Sequence, residues 1–268
     1  MKAQKKINVS HFLKKKEKGE KIVALTAYDA PTAKLAEECG VDLILVGDSM
    51  GMTMLGYKNT IPVTLEQSLH HSAAVRRGAE FSFIVGDMPF MTYQISPEQA
   101  MQNAARYLQE AMIDAVKLEG GEKTASTVER LVSAGVPVLG HIGLLPQNIL
   151  TSGGYRITGK TQDDAERLVK DALALEKAGA FAIVLEGMSS EAAAEVTHNL
   201  KIPTIGIGAG PGCDGQVQVI NDLLGLFTDF VPKHAKKYCD LSSEIRKALT
   251  AYTSDVKAGV FPGPDQSF

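Results

Sequence analysis

The feature that most constrains this chain is a repeated cadence. An amphipathic stretch ends at a glycine, a short β-branched run follows, and a polar or glycine-rich loop comes next. The runs are IVALTAY (22–28), DLILVGD (42–48), FIVGDM (83–88), AVKLEG (115–120), VPVLGHIG (136–143), AIVLEG (182–187) and PTIGIGAG (203–210). Near-continuous apolar runs of this length suit strands covered on both faces. Between them, Ser96-Pro97-Glu98-Gln99 supplies an N-cap, a first-turn proline and a capping-box glutamine ahead of Met101, Ala104, Ala105, Leu108 and Met112 at helical spacing. Thr161 caps a second helix with the apolar face Ala165, Leu168, Val169, Ala172 and Leu175, and Gly179 ends it in the left-handed region; Gly40, Gly78 and Gly135 read as similar stops.

Strand and helix alternating over the whole length predict βαβ units and a parallel sheet. The seven runs, with a weaker eighth around Phe230, Val231 and Pro232, fit a closed (β/α)₈ TIM barrel better than an open doubly wound sheet. No Pro/Gly/Ser-rich linker divides the chain, so residues 1–268 read as a single domain with a short N-terminal helix, a final helix from Ser242 to Gly259 and a Pro/Gly tail.

With 44% hydrophobic and 22% charged residues in 268, the chain can bury a sizeable core. A formal net charge of -3 provides no field to hold a polyanion, so nucleic acid is not expected as a partner. Lys5, Lys6, Lys14, Lys15 and Lys16 are interrupted by Glu17 and Glu20 and read as a solvated helix face. Cys39, Cys213 and Cys239 are dispersed and odd in number, which suggests reduced thiols and a cytoplasmic protein. No apolar stretch approaches the roughly 20 residues a membrane span needs.

The functional signal lies in where the polar residues fall. Nearly every run closes on an ionisable or polar group: Asp48 and Ser49, Asp87, Lys117 and Glu119, His141, Glu186. In a parallel barrel these ends meet at one mouth, where the active sites of such enzymes lie. Taken singly, a strand-end Asp is usually a loop or cap residue; five strand ends together point to a site. Period-two alternation sends Lys117 and Glu119 to one face of their strand, as an ion pair or as part of that mouth. With Asp48 and Asp87 added, three carboxylates and one lysine call for a cation, and hard oxygen donors favour Mg²⁺ over zinc. Glu186 follows the apolar AIVL, a setting suited to proton abstraction or to a plain strand-end pairing. His141 has no second metal-type partner in sequence and reads as structural, or at most as orienting a substrate. His70, His71, Arg76 and Arg77 sit late in a helix, where positive groups suit the dipole. The glycines of 206–212 do not match the dinucleotide fingerprint and read as a tight mouth loop.

The chain resembles the ketopantoate hydroxymethyltransferase family. The resemblance is carried by TAYD (26–29), VGDSMGM (46–52), PVT (62–64), HHSAAVRRGA (70–79), GDMPFMTY (86–93), VKLEGG (116–121), GHIGLLPQ (140–147), GGY (153–155), LEG (185–187), IPTIGIGAG (202–210), CDGQ (213–216) and GVFPG (259–263), in family order over almost the whole length. It implies a barrel of the phosphoenolpyruvate/pyruvate type and Mg²⁺ held at Asp48, Asp87 and Glu119. It also implies a keto acid held at Asp48, Ser49, Asp87 and Lys117, with Glu186 as general base. The implied reaction is hydroxymethyl transfer from 5,10-methylenetetrahydrofolate to 3-methyl-2-oxobutanoate, the first committed step of pantothenate synthesis, in a homodecamer. Asn221 and Gln266 depart from the family pattern, where relatives often carry His, and neither falls on the implied metal or base positions. Two other readings differ in what they require. A metal-dependent carbon-carbon lyase on a similar barrel would show no folate response. A catalytically silent ligand-binding or scaffold barrel would leave the mouth charges without a function.

Overall fold

The structure, a computed structural model, describes residues 5–227 and 232–268. In chain order it runs α1 (Val9–Lys18), β1 (Ile22–Thr26), α2 (Ala30–Glu38), β2 (Leu43–Val46), α3 (Met50–Thr53), α4 (Leu65–Gly78), β3 (Phe83–Asp87), α5 (Pro97–Gln109), β4 (Ala115–Glu119) and α6 (Ala125–Ser133). It continues with β5 (Val138–Gly143), α7 (Ile149–Ser152), α8 (Gln162–Lys177), β6 (Ala182–Glu186), α9 (Ser190–Asn199), β7 (Thr204–Ile207), β8 (Gly215–Gln218), α10 (Ile220–Leu223) and α11 (Leu241–Lys257). The eight strands are parallel and close into a barrel, β8 returning to pair with β1.

The expected caps form. Ser96 Oγ accepts from Gln99 N at the start of α5, Thr161 Oγ1 accepts from Asp164 N at the start of α8, and Gly179 is left-handed at φ 95°. Gly78 differs from the expected left-handed stop. It is the last residue of α4, and a Cβ there would come within 2.1 Å of Ala30 O, so glycine serves close approach to α2. The expected eighth strand around Phe230 and Val231 lies outside the described residues, and the strand that closes the barrel is the earlier Gly215–Gln218. Its sequence, GQVQ, carries glutamines at the two positions that face away from the barrel interior, so no apolar run marks it.

Strict alternation sorts the strand residues into two cores. Leu43, Leu45, Phe83, Val85, Ala115, Leu139, Val184, Ile205, Ile207 and Val217 fill the barrel. Ile44, Val46, Ile84, Val116, Leu118, Val138, Ile142, Ile183 and Leu185 face outward under the helices. Phe12 of α1, fully buried, plugs the N-terminal end against Phe83 and Phe181 with ring centroids 5.1 and 5.6 Å away. Of the five lysines expected on a solvated face, Lys5 and Lys14 are exposed and the other three are anchors. Lys6 pairs with Asp114 at 2.8 Å, Lys16 with Asp214 at 2.8 Å, and Lys15 with Asp42. The barrel is thus closed by an apolar plug and ion pairs at one end, which leaves its charged inner residues to the other.

By its contacts the chain falls into two compact units, one ending at Val219 and one beginning at Ile220. The second holds α10 and α11, where Tyr252 meets Phe261 edge-on at 5.5 Å. The final helix spans nearly the segment expected. Among the described residues, no helix is long and apolar enough to cross a membrane.

Asp42 gives this end of the barrel a pH dependence. Burial pushes its carboxyl up, but hydrogen bonds from Lys15, Val23 N and His11 outweigh burial and hold it below the usual carboxylate range. A depressed folded pKa stabilises above the unfolded pKa and is lost as pH falls through the folded one. Asp42→Asn is therefore expected to lose about 2 kcal/mol near neutral pH, measured by urea unfolding. The difference from wild type should shrink as pH falls below about 4.

Candidate active site

The inner face of the barrel changes character toward the C-terminal strand ends. Along β4 the inward sequence is Ala115, Lys117, Glu119; along β3 it is Phe83, Val85, Asp87; along β5 it is Leu139, His141. The apolar floor thus passes directly into a charged layer without a change of period. Strand register sets Asp87 beside Lys117 and Glu119 beside His141. Glu186 ends β6, opposite Gly143 on β5. Asp48 follows β2, and its backbone N donates to Asp87 Oδ2 at 3.1 Å.

The structure brings together all of the ionisable residues that the sequence places at strand ends. Lys117 Nζ stands 2.8 Å from Asp87 Oδ1 and 3.7 Å from Glu119 Oε1, with 4% of its side chain exposed. His141 Nδ1 lies 3.2 Å from Lys117 Nζ and 3.5 Å from Glu119 Oε1, while its Nε2 lies 3.3 Å from Glu186 Oε2. Four carboxylates, from Asp48, Asp87, Glu119 and Glu186, therefore meet one lysine and one histidine. His141, isolated in sequence, is the link between Glu119 and Glu186. Glu186 is not in the apolar setting expected from AIVL: it is 22% exposed and faces an imidazole.

Burial and the neighbouring carboxylates Asp87 and Glu119 hold Asp48 well above its ordinary range. Asp87 is also raised, chiefly by burial and with Glu119 adding repulsion, despite its pairing with Lys117. Glu119 goes the other way: burial pushes it up, but His141, Lys117 and the amide of Gln147 hold it down. Burial disfavours the Lys117 cation, yet Asp87, Glu119 and Asp48 outweigh burial and strengthen its hold on the proton. Burial and Lys117 likewise oppose a charged His141, but Glu119 and Glu186 push it up to about 9.

Three polar residues at the mouth were not singled out in sequence. Tyr28 OH and Ser49 Oγ hydrogen-bond at 2.9 Å, and Gly47 leaves room for that hydroxyl, since a Cβ there would lie 2.8 Å from it. Gln147 and Tyr93, both buried, tie the loops after β3 and β5 to Asp48 and Glu119. Their signal in the sequence is a polar side chain inside a loop that is otherwise apolar or Pro-rich, as in GLLPQ. His71 and Arg76 are structural, bonded to Tyr28 O at 2.6 Å and to Asp114 at 3.1 Å. In the loop after β7, Gly210 makes a close approach to Ser190 at the start of α9.

Among the described residues, no three His, Cys, Asp or Glu side chains already stand in metal-ligating geometry. The donor chemistry nonetheless fits a hard divalent cation. Asp48 and Asp87 are buried, mutually repelling and raised, and Glu119 Oε1 is buried with no hydrogen-bond partner. Removing the lysine that offsets these charges leaves them uncompensated. Lys117→Met is expected to lose about 3–5 kcal/mol in urea unfolding without added metal. A loss under about 1 kcal/mol would show that the mouth carboxylates do not depend on it.

Comparison with known proteins bears on the family and the fold. The family model for ketopantoate hydroxymethyltransferase matches residues 6–264. A 3-methyl-2-oxobutanoate hydroxymethyltransferase of Dehalococcoides mccartyi (strain CBDB1) is 55% identical over 260 residues, covering 97% of this chain and 93% of the relative. One of Chloroflexus aurantiacus (strain J-10-fl) is 53% identical over 262 residues, covering 98% and 92%. Among solved structures, a phosphoenolpyruvate phosphomutase from Streptomyces platensis superposes with a TM-score of 0.63 over 94% of this chain and 88% of that one. At 14% identity it shares the fold alone. The chain belongs to the ketopantoate hydroxymethyltransferase family.

Proposed function

We propose that this chain transfers a hydroxymethyl group from 5,10-methylenetetrahydrofolate to 3-methyl-2-oxobutanoate, giving 2-dehydropantoate and tetrahydrofolate. The observation that carries the reading is the buried mouth cluster, in which a partly exposed Glu186 stands beside the Asp48, Asp87, Lys117, Glu119 and His141 group. Family membership supplies the substrates. The reading includes work in the cytoplasm as a homodecamer.

Asp48, Asp87 and Glu119 are the residues that would hold Mg²⁺. When bound there, the ion supplies Lewis acidity to the carboxylate and 2-oxo oxygens of the keto acid, which acidifies its C3 hydrogen. Lys117 adds fixed positive charge where negative charge develops on the substrate. Ser49, held by Tyr28, donates to the substrate carboxylate. Glu186 takes the C3 proton and becomes neutral, and His141 Nε2, 3.3 Å away, holds that carboxylate ionised and oriented until it does. C3 then bonds to the folate methylene carbon. That carbon leaves both folate nitrogens, which take up the proton removed from C3 and one proton of a water whose hydroxyl completes the product.

No observation favours the lyase reading. Purified protein with Mg²⁺ is expected to exchange the C3 hydrogen of 3-methyl-2-oxobutanoate for deuterium in D₂O without any folate, followed by proton NMR. Glu186→Gln is expected to slow this exchange by about 100-fold or more, and a chelator to abolish it. Exchange indifferent to both treatments would count against the assignment.

A further inference from the structure

Gln147 is a buried glutamine whose amide makes four hydrogen bonds, the most it can. Its Nε2 donates to Asp48 Oδ2 at 3.1 Å and to Met88 O at 3.0 Å. Its Oε1 accepts from Tyr93 OH at 2.9 Å and from Gln94 Nε2 at 3.1 Å. The two acceptors lie on one side and the two donors on the other, so only one orientation of the amide satisfies all four. The backbone N of the same residue donates to Glu119 Oε2 at 3.1 Å. Tyr93 OH in turn accepts from Glu119 N at 3.1 Å.

One residue of the loop after β5 therefore holds a carboxylate oxygen from the end of β2, one from the end of β4, and the backbone just past Asp87. We infer that Gln147 is the positioning residue for the acidic mouth. It fixes which oxygen of Asp48 and which of Glu119 bonds to this loop, and leaves the other oxygen of Glu119 to the charged cluster, beside Lys117 and His141. Glu119 Oε1, buried and without a hydrogen bond, lies 3.7 Å from Lys117 Nζ and 3.5 Å from His141 Nδ1. A neutral amide suits this task. A lysine in its place would neutralise the carboxylate it orients, whereas an amide directs an oxygen lone pair while leaving the negative charge available to a cation.

The inference rests on the reading that these carboxylates hold a divalent ion, and the test separates the two. Mn²⁺ binding by the full-length protein is followed by electron paramagnetic resonance, and C3 exchange of 3-methyl-2-oxobutanoate in D₂O is followed with metal varied. Gln147→Met keeps side-chain length and apolar packing but removes the four amide bonds. It is expected to weaken Mn²⁺ binding about tenfold or more and to raise the metal concentration for half-maximal exchange in step. Exchange at saturating metal should fall less, a split that a general loss of stability would not produce. Tyr93→Phe, which deletes one of the two donors to Oε1, is the second variant and is expected to shift Mn²⁺ affinity in the same direction by a smaller factor. Wild-type Mn²⁺ affinity in a folded Gln147→Met or, if that variant does not fold, in Tyr93→Phe would overturn the assignment. Failure of the wild-type protein itself to bind Mn²⁺ would overturn the metal reading on which it stands.

Discussion

The ammonium of Lys117 is the interaction on which the mouth of this barrel depends. It is almost fully enclosed, 2.8 Å from one carboxylate and 3.7 Å from another, inside a shell that also contains Asp48. Burying a lone ammonium is costly, and burying three acids without it is costlier, so each side of the cluster is tolerable because the other is present. The surplus is still acidic. That surplus distinguishes this cluster from a structural salt bridge that merely closes on itself.

The barrel places this charge at one end by making the other end unavailable. Phe12, Phe83 and Phe181 fill the N-terminal opening, and α1 and the residues before it are fastened there by Lys6, Lys15 and Lys16 to acids near the starts of the strands. The inward positions rise from this floor through Leu43, Val85, Ala115 and Leu139 to Lys117 and His141. An apolar interior beneath the charged layer keeps the local dielectric low, which strengthens every electrostatic contact above it. Stability is supplied at the floor and reactivity at the rim.

Much of this was legible in the chain. Period-two alternation in AVKLE put Lys117 and Glu119 on one face, and the polar closures of successive runs identified Asp48, Asp87, His141 and Glu186 as members of one rim. The eighth strand was misplaced for a physical reason: GQVQ has polar residues on the face turned away from the interior, so the apolar run that marks the others is missing. Gly78 was read as a conformational stop, whereas its missing side chain admits the backbone of Ala30. Lys6, Lys15 and Lys16 looked solvated because their acidic partners, Asp114, Asp42 and Asp214, are far away in sequence.

By itself the sequence determined the periodicities, and with them the number and direction of most strands, the side chains that face inward and the acidic excess at one end. It did so because alternation and capping are local, set by residues within a few positions of one another. Only the tertiary structure decided the pairings: His141 between Glu119 and Glu186, Tyr28 on Ser49, and Gln147 spanning Asp48, Met88 and Glu119. Those contacts join residues from different βα loops, and the closure of the barrel, which no local pattern encodes, sets the distances between them.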